Sequence, residues 1–205
     1  MARDTQSIVK MSRREGYALH PKAHKALVKR PTPPGETNTM GRRNKPSQYS
    51  IQLREKQKVK RLYGLLERQF SKLMKEASRK KGQSGEMLLQ LLELRADNTI
   101  YRSGLAPSRR AARQLVTHGH FLLNGRRFDI PSLRVKSGDK LELRDKSKTN
   151  DYFKSLDDIS PAPTETPSWI KVDRKKFTVD ITGIPSREEA EPDINEQLIV
   201  EYYSR

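Results

Sequence analysis

The sequence predicts an α+β fold: a helical N-terminal domain, a small antiparallel sheet and a C-terminal helix. Apolar residues recur at steps of three and four between residues 48 and 81, which is typical of an amphipathic helical region. Asn124-Gly125 joins two short apolar runs, which indicates a β-hairpin with a type I′ turn. A short amphipathic segment follows residue 193 and predicts a terminal helix.

The region 48–81 is expected to form a long helix whose apolar stripe is core, including Val59, Leu62, Leu66 and Phe70. At the other end of the chain, Asp193 and Glu196 stand at capping-box spacing before the last helix. An isolated helix this short is marginally stable and must dock. We therefore expect residues 193–205 to pack on the stripe and complete a helical domain at 48–93.

Residues 94–150 predict a small helix–turn–helix unit packed on twisted antiparallel strands. Ser108 is the expected N-cap of a helix that ends near Gly119. The hairpin at Asn124-Gly125 follows, and a later strand places Leu141 and Leu143 inward. Together these signals define a second compact element after the first helices.

The remaining segments carry weaker patterns. Residues 1–47 read as a basic arm that is flexible when free, with a proline-rich stretch at 30–35. Residues 145–168 are polar and contain three prolines near their end, so a linker or surface loop is expected. Alternation between Trp169 and Ile181 predicts strands, which makes 151–192 a linker with additional strands.

The charge is strongly positive and unevenly placed. Lys and Arg number 42 against 25 Asp and Glu, giving a formal charge of +17. Residues 151–205 carry 12 acidic and 7 basic side chains, so the excess positive charge lies in the first 150. A polyanion is the expected partner, with nucleic acid favoured over a membrane; a solvated lysine-rich surface is the alternative.

Catalytic and metal motifs are not found. There is no P-loop, and His118 and His120 have no Ser or Cys nucleophile placed beside them. The chain has no cysteine, which excludes disulfides and thiolate metal sites and fits a reducing cytosol. His20 and His24 are four residues apart but lack further ligands. We expect no enzyme activity, no cofactor and no metal, and no apolar run is long enough to span a bilayer.

Several motifs resemble the RNA-binding domain named for small-subunit ribosomal protein S-four. They are Leu94-x-x-Asp97-Asn98, Tyr101-Arg102-x-Gly104, Ser108-Arg109, Ala112-Arg113-Gln114-Leu115-Val116, His118-Gly119-His120 and Asn124-Gly125-Arg126. The flanks match the ribosomal protein family itself, and the resemblance runs from near residue 3 to residue 205. The matching flanks are Met11 to Gly16, Gln52 to Lys58, Tyr63-Gly64, Glu67 to Phe70, and Ile194 to Ser204.

The resemblance implies an RNA-binding domain inserted into a helical domain that the C-terminal helix completes. It implies a structural protein that binds small-subunit ribosomal RNA, nucleates assembly of the subunit body and affects translational accuracy. The implied partners are ribosomal proteins S-five and S-three, with messenger RNA at the channel through which it enters. Many members hold zinc through cysteines that this chain lacks, so zinc is not expected. The location implied is the cytoplasmic small ribosomal subunit, with a plastid ribosome less favoured.

The predicted RNA-binding residues combine the two basic regions with the matched motifs. Arginines in the first turns of a helix beginning at Ser108 favour anions, because the helix N-terminus already attracts negative charge. Arg42, Arg43 and Lys45 match the basic segment at the messenger channel. The full set is Arg13, Arg14, Arg42, Arg43, Lys45, Arg54, Lys56, Lys58, Lys60, Arg61, Arg68, Lys72, Arg79, Lys80, Lys81, Arg102, Ser108, Arg109, Arg110, Arg113, Gln114, His118, Asn124, Arg126 and Arg127.

Other functions stay open at this point. The same RNA-binding domain occurs as an accessory module of RNA-modifying enzymes, although the acidic segment after residue 150 is short for a catalytic domain. Another RNA-binding regulator that carries the same domain is a second alternative, and a DNA-binding regulator that uses the helix–turn–helix is a third.

Overall fold

The computed structural model describes residues 4–35, 46–163 and 165–204, and it confirms the α+β fold class. The chain divides into two compact units. The first runs up to Leu88 and resumes at Asp193, and the second is Leu89–Pro192.

The first unit is helical. Its helices are α1 (Ile8–Glu15), α2 (Pro21–Lys29), α3 (Gln48–Leu62), α4 (Glu67–Ala77), the start of α5 (Ser84–Glu93) and, at the end of the chain, α11 (Glu196–Tyr203). Val59, Phe70 and Ile199 are fully buried in this unit. The apolar stripe predicted from the periodicity is therefore core, except that Leu66 is only partly buried and Leu65 is buried instead.

The expectation of one long helix over 48–81 is wrong, because the chain turns at Gly64. Gly64 has φ +63, a conformation that glycine adopts without steric cost. The Gly64 and Leu65 amides donate to the carbonyls of Arg61 and Lys60, at 3.1 and 2.9 Å. This is the Schellman pattern that ends a helix, and it separates α3 from α4.

The N-terminal arm is not devoid of regular structure. Helix α1 ends at Gly16, which is left-handed with φ +64. Helix α2 starts after His20, whose ring nitrogen accepts from the Lys22 amide at 3.1 Å, and Pro21 occupies the first helical position. Proline at that position and an accepting N-cap side chain both favour helix initiation. His20 is thus a cap, which the i to i+4 pairing with His24 did not predict.

Helix α11 packs along α3, as the docking prediction requires. Gln52 donates to Glu201 at 2.7 Å, and the Asn195 amide donates to Glu55 at 2.9 Å. The cap differs from the prediction: Asn195, and not Asp193, accepts from the first free amides of the helix. The C-terminal segment therefore completes the first unit.

The second unit combines helices with one antiparallel sheet. The helices are α6 (Ala96–Arg102), α7 (Arg109–Thr117), α8 (Asp145–Lys148), α9 (Asp151–Lys154) and α10 (Leu156–Ile159). The strands are β1 (Phe121–Leu123), β2 (Arg126–Arg127), β3 (Lys140–Leu143), β4 (Ile170–Asp173) and β5 (Thr178–Ile181), in the order β2-β1-β3-β5-β4. Leu141 lies opposite both Leu123 and Val179, which fixes the buried face of the sheet.

Residues 145–168 are not simply a linker, and this corrects the expectation from composition. Phe153 and Leu156 are each 3% exposed and belong to the core of the second unit. The Phe153 ring meets Phe121 and Phe177 edge-on, with centroids 6.3 and 6.0 Å apart. Two buried apolar side chains within a polar, proline-rich stretch give too weak a periodic signal to predict this docking.

Candidate nucleic-acid interface

A buried network occupies the inner side of α6 and α7. Glu93, whose side chain is 1% exposed, accepts from Arg102 Nε at 3.0 Å and Nη2 at 2.9 Å. Asn98 Nδ2 donates to the same carboxylate at 2.7 Å. A carboxylate this buried is stable only when it is paired in this way.

Arg109 belongs to this network. Its Nε donates to Asn98 Oδ1 at 2.8 Å, and its Nη2 donates to Glu191 at 2.7 Å. The guanidinium also lies 4.6 Å from the centroid of the Tyr101 ring. Arg113 lies 3.9 Å from Asp97, which also accepts a two-pronged interaction from Arg95. These contacts engage Arg102, Arg109 and Arg113 within the second unit, and their assignment to RNA stays a prediction.

The outer side of α7 carries a different set of residues. Ser108 caps the helix, as predicted, by accepting from the Ala111 amide at 3.2 Å. Arg110, Gln114 and His118 then follow at intervals of four residues, and all three are exposed. Residues at this spacing share one helix face. Within the described segments, no ion pair holds Arg110.

Arg127 extends this surface beyond the helix end. Gly119 has φ +67, and a Cβ placed there would stand 2.6 Å from Arg127 Nε. Glycine therefore allows the Arg127 guanidinium to lie against the backbone at the end of α7. We call Arg110, Gln114, His118 and Arg127 the α7 face. Arg126 is also exposed and lies on the same short strand as Arg127.

A second histidine lies behind this face. The His118 and His120 ring centroids are 6.0 Å apart, and His120 Nδ1 is 3.0 Å from Ser147 Oγ. Burial lowers the pKa of His120, and the positive charges of His118 and Arg144 lower it further. The neutral imidazole is therefore favoured at pH 7.

Asn124 has a structural task that the prediction missed. It adopts φ +50 in the hairpin turn, as the type I′ prediction requires. Its Nδ2 donates to Asp139 at 2.8 Å, and its Oδ1 accepts from the Lys140 amide at 2.8 Å. Both ends of the amide therefore bind the chain around β3, and an RNA contact by Asn124 stays a prediction.

Several predicted cations of the first unit are also engaged internally. Lys56 is 3% exposed, donates to Glu67 at 2.9 Å and lies 4.4 Å from the Tyr202 ring centroid, so its ammonium group is engaged within the first unit. Lys60 donates to the same carboxylate at 3.0 Å. Burial alone raises the pKa of Glu67, but hydrogen bonds from Lys56, Lys60 and Tyr203 outweigh it and lower the pKa.

Arg54 and Arg61 share another buried carboxylate. Both donate to Glu15, the first at 3.3 Å, and the Glu15 side chain is 0% exposed. Burial raises the pKa of Glu15, although both arginines oppose the rise. Lys58 donates to the Asp193 carbonyl at 2.6 Å and pairs with Glu55 at 2.8 Å. These contacts tie α1 and the C-terminal segment to α3.

Helix α4 presents the exposed charge of this unit. Arg68, Lys72, Lys75 and Arg79 are exposed at steps of three and four, and we call them the α4 ridge. Lys80 and Lys81 follow and are also exposed. In the part of the chain that the structure describes, none of these side chains forms an ion pair.

The remaining predicted residues fall near the N-terminus. Arg13 donates to the Thr32 carbonyl at 3.0 Å, whereas Arg14 is exposed. Arg42, Arg43 and Lys45 lie outside the described residues. Residues 4–35, 46–163 and 165–204 contain no group of three or more potential metal ligands. No helix among them is long and apolar enough to cross a membrane.

The acidic partners Glu15, Glu93 and Glu191 were not predicted from the sequence. Glu93 carried a signal, because it interrupts the most apolar run of the chain. Glu191 carried none, since it lies in a polar loop 82 residues from its partner Arg109.

Comparison with known families agrees with this division of the chain. The family model described as "Ribosomal protein S4/S9 N-terminal domain" matches residues 3–93, and the "S4 domain" model matches residues 94–141. The two matches define the class: a ribosomal protein that carries an S4 RNA-binding domain.

Full-length relatives are more specific. Proteins named small ribosomal subunit protein uS4 from Pelodictyon phaeoclathratiforme and Chlorobaculum tepidum are each 48% identical over 206 residues, covering 100% of both chains. The protein of that name from Chloroflexus aurantiacus is 47% identical over the same span. This chain belongs to the small ribosomal subunit protein uS4 family. It is a ribosomal protein and not an enzyme, in agreement with the prediction.

Proposed function

We propose that this protein binds small-subunit ribosomal RNA directly, through a separate cationic surface on each unit. The observation that carries the proposal is the sorting of the basic residues. One set is paired with buried carboxylates, while the α7 face and the α4 ridge remain exposed. Exposed cations without internal partners are available to neutralise phosphates.

The mechanism is phosphate neutralisation with recognition of RNA shape. Arg110 and Arg127 offer guanidinium groups that can each bind two phosphate oxygens, and Gln114 can bond a phosphate or a 2′-hydroxyl. The inner network of Glu93, Asn98 and Arg109 holds α6 and α7 in fixed positions. The α7 face is thereby ordered before RNA arrives, which reduces the entropy lost on binding.

Family membership supports a finer proposal. We propose that the protein nucleates folding of the RNA in the body of the small subunit of cytoplasmic ribosomes, and there adjoins ribosomal proteins S-five and S-three. Arg42, Arg43 and Lys45 are the residues we assign to the channel through which messenger RNA enters, where they affect translational accuracy.

Binding to a small-subunit ribosomal RNA fragment across a salt series tests the central claim. Arg110→Gln with Arg127→Gln is expected to weaken binding by about tenfold or more, because hydrogen bonds to charged groups contribute about 1.5–3 kcal/mol each. The slope of log K against log salt should become shallower by about 0.7–0.9 for each lost phosphate contact.

Lys171→Gln with Lys175→Gln is the matched control, since it removes the same charge from exposed positions of the same unit. Equal losses in the two double variants would show that the α7 face has no special part in binding. Competition by duplex DNA as strong as that by the RNA would point instead to a DNA-binding protein.

A further inference from the structure

The end of α7 is fastened to the turn that follows β3. The helix closes in a Schellman pattern, in which the Gly119 amide donates to the Val116 carbonyl at 2.8 Å and the His120 amide donates to the Leu115 carbonyl at 3.3 Å. The Arg144 amide donates to the His120 carbonyl at 2.9 Å, and Arg144 Nη1 donates to the Gly119 carbonyl at 3.0 Å. One residue of the turn therefore binds two successive carbonyls just beyond the helix.

The turn that carries Arg144 is itself anchored. The Ser147 amide donates to the Arg144 carbonyl at 2.8 Å, and the Ser147 hydroxyl oxygen lies 3.0 Å from His120 Nδ1. Ser147 is buried, and the buried Phe153 ring meets the His120 ring at a centroid distance of 5.8 Å. Because its backbone is fixed in this way, Arg144 can hold the carbonyl to which its side chain donates.

Two guanidinium groups meet at Gly119. Arg144 binds the Gly119 carbonyl, and a Cβ placed on Gly119 would stand 2.6 Å from Arg127 Nε and 2.9 Å from Arg127 Nη2. Neither arginine forms an ion pair in the segments that the structure describes. The C-terminal end of a helix carries a partial negative charge, so its last carbonyls attract a nearby cation. Arg144 and Arg127 are both placed to receive this attraction, and Arg144 takes the carbonyl.

We infer that Arg144 is a positioning residue for RNA binding: by occupying the Gly119 carbonyl, it leaves the Arg127 guanidinium free to bind RNA. The inference rests on the function proposed above and deepens it, because Arg144 acts through Arg127 and does not itself contact RNA. When Arg144 is removed, the Gly119 carbonyl is left to the other guanidinium beside it, and Arg127 turns toward the helix end. The sequence pattern did not place Arg144 in the RNA-binding set.

A double-mutant cycle of RNA affinity tests this indirect role. Arg127→Gln is expected to weaken binding of a small-subunit ribosomal RNA fragment about fivefold, and Arg144→Gln about threefold. The double variant should bind about as weakly as Arg127→Gln alone, because Arg144 then has no guanidinium left to position. Losses that multiply to about fifteenfold would show an independent contact by Arg144 and would overturn the inference. Wild-type affinity in Arg144→Gln would overturn it too.

Lys146→Gln is the matched control. Lys146 is exposed on α8, two residues from Arg144, so the variant removes the same charge from the same turn and should bind RNA like the wild type. A loss equal to that of Arg144→Gln would reduce the effect to net charge and overturn the inference. Fluorescence of the buried Trp169 verifies that each variant is folded.

Arg144→Lys keeps the charge and serves if Arg144→Gln does not fold. Its ammonium group can donate to only part of the space that the guanidinium fills, so a smaller loss of affinity is expected. That loss should again disappear when Arg127→Gln is present. A loss that persists in the Arg127→Gln background would overturn the indirect role.

The free protein supplies a signal that does not need RNA. In the full-length protein labelled with ¹⁵N, the Arg127 Nε–H resonance is assigned from its loss in Arg127→Gln. It is expected to shift in Arg144→Gln, because Arg127 turns toward the Gly119 carbonyl, and to stay in place in Lys146→Gln. An unchanged resonance in Arg144→Gln would overturn the positioning role. Failure of the wild-type protein to bind the RNA would overturn the proposed function and this role together, whereas multiplying losses would overturn this role alone.

Discussion

Replacing Glu93 with alanine is expected to destabilise the second unit strongly. The Glu93 carboxylate accepts three hydrogen bonds, two from Arg102 and one from Asn98, and its side chain is 1% exposed. Its removal takes this carboxylate acceptor from Arg102 and from Asn98, whose Nδ2 keeps the Glu93 backbone carbonyl at 3.1 Å. Breaking a buried ion pair from one side costs about 3–5 kcal/mol.

The lower end of that range applies here. The Arg102 side chain is 20% exposed and retains Glu191 at 3.5 Å, so part of its charge stays solvated and paired. We therefore expect a loss of about 3 kcal/mol. In a unit of this size each kcal/mol lowers the melting temperature by about 4–8 °C, which gives a fall of about 12–24 °C.

The only tryptophan, Trp169, makes this measurable. It is 2% exposed in the core of the second unit, so its fluorescence during thermal or urea unfolding reports that unit. Asp145→Ala is the control, because it removes an equally short ion pair, 2.7 Å to Lys148, whose carboxylate is 94% exposed. Water screens so exposed a pair, and its loss is expected to leave the melting temperature nearly unchanged. Similar melting temperatures for the two variants would show that burial does not make the Glu93 ion pair more important for stability than an exposed one.

Three further outcomes follow from the same contacts. Because the pKa of His120 is lowered below 6.5, the folded chain holds fewer protons than the unfolded chain at mildly acidic pH, and the free energy of unfolding should fall as the pH drops below about 6.5. His120→Gln should flatten this pH dependence, measured by Trp169 fluorescence, and an unchanged slope would contradict the prediction. Lys56→Gln is expected to lower the free energy of unfolding by about 1–3 kcal/mol, while the RNA affinity of the folded protein stays within about twofold of wild type. A large loss of affinity would show instead that Lys56 contacts RNA. Gly104→Ala should destabilise the second unit by about 1–3 kcal/mol, because Gly104 has φ +72 and an added Cβ would stand 2.5 Å from Pro163. A melting temperature equal to that of the wild type would rule out this destabilisation.

Local signals predicted the parts of the fold that depend on local chemistry. Asn124 and Gly125 both have positive φ in the hairpin turn, as a type I′ turn requires, and Ser108 caps α7 as expected. Gly64 also carried a local signal, since a glycine after a helical run often ends it. The docking of α1 had no such signal, because Glu15 is held by Arg54 and Arg61, 39 and 46 residues further along the chain.

At the candidate interface, the positions of the arginines around the axis of α7 carry a signal that the site prediction did not use. Arg109, Ala112, Arg113 and Val116 recur at steps of three and four, so the two arginines share the face of the buried residues Ala112 and Val116. Arg110, next in sequence to Arg109, is turned about 100° away from it by the helical repeat and faces solvent. The attraction of anions to the helix N-terminus does not distinguish these three arginines, because it applies to all of them alike. Phase could have separated Arg110 from the other two, but only the tertiary structure supplies Glu191, the acceptor that fixes Arg109. The net charge of such a chain includes cations that stabilise its fold. These cations must be subtracted before the remaining positive charge is assigned to RNA binding.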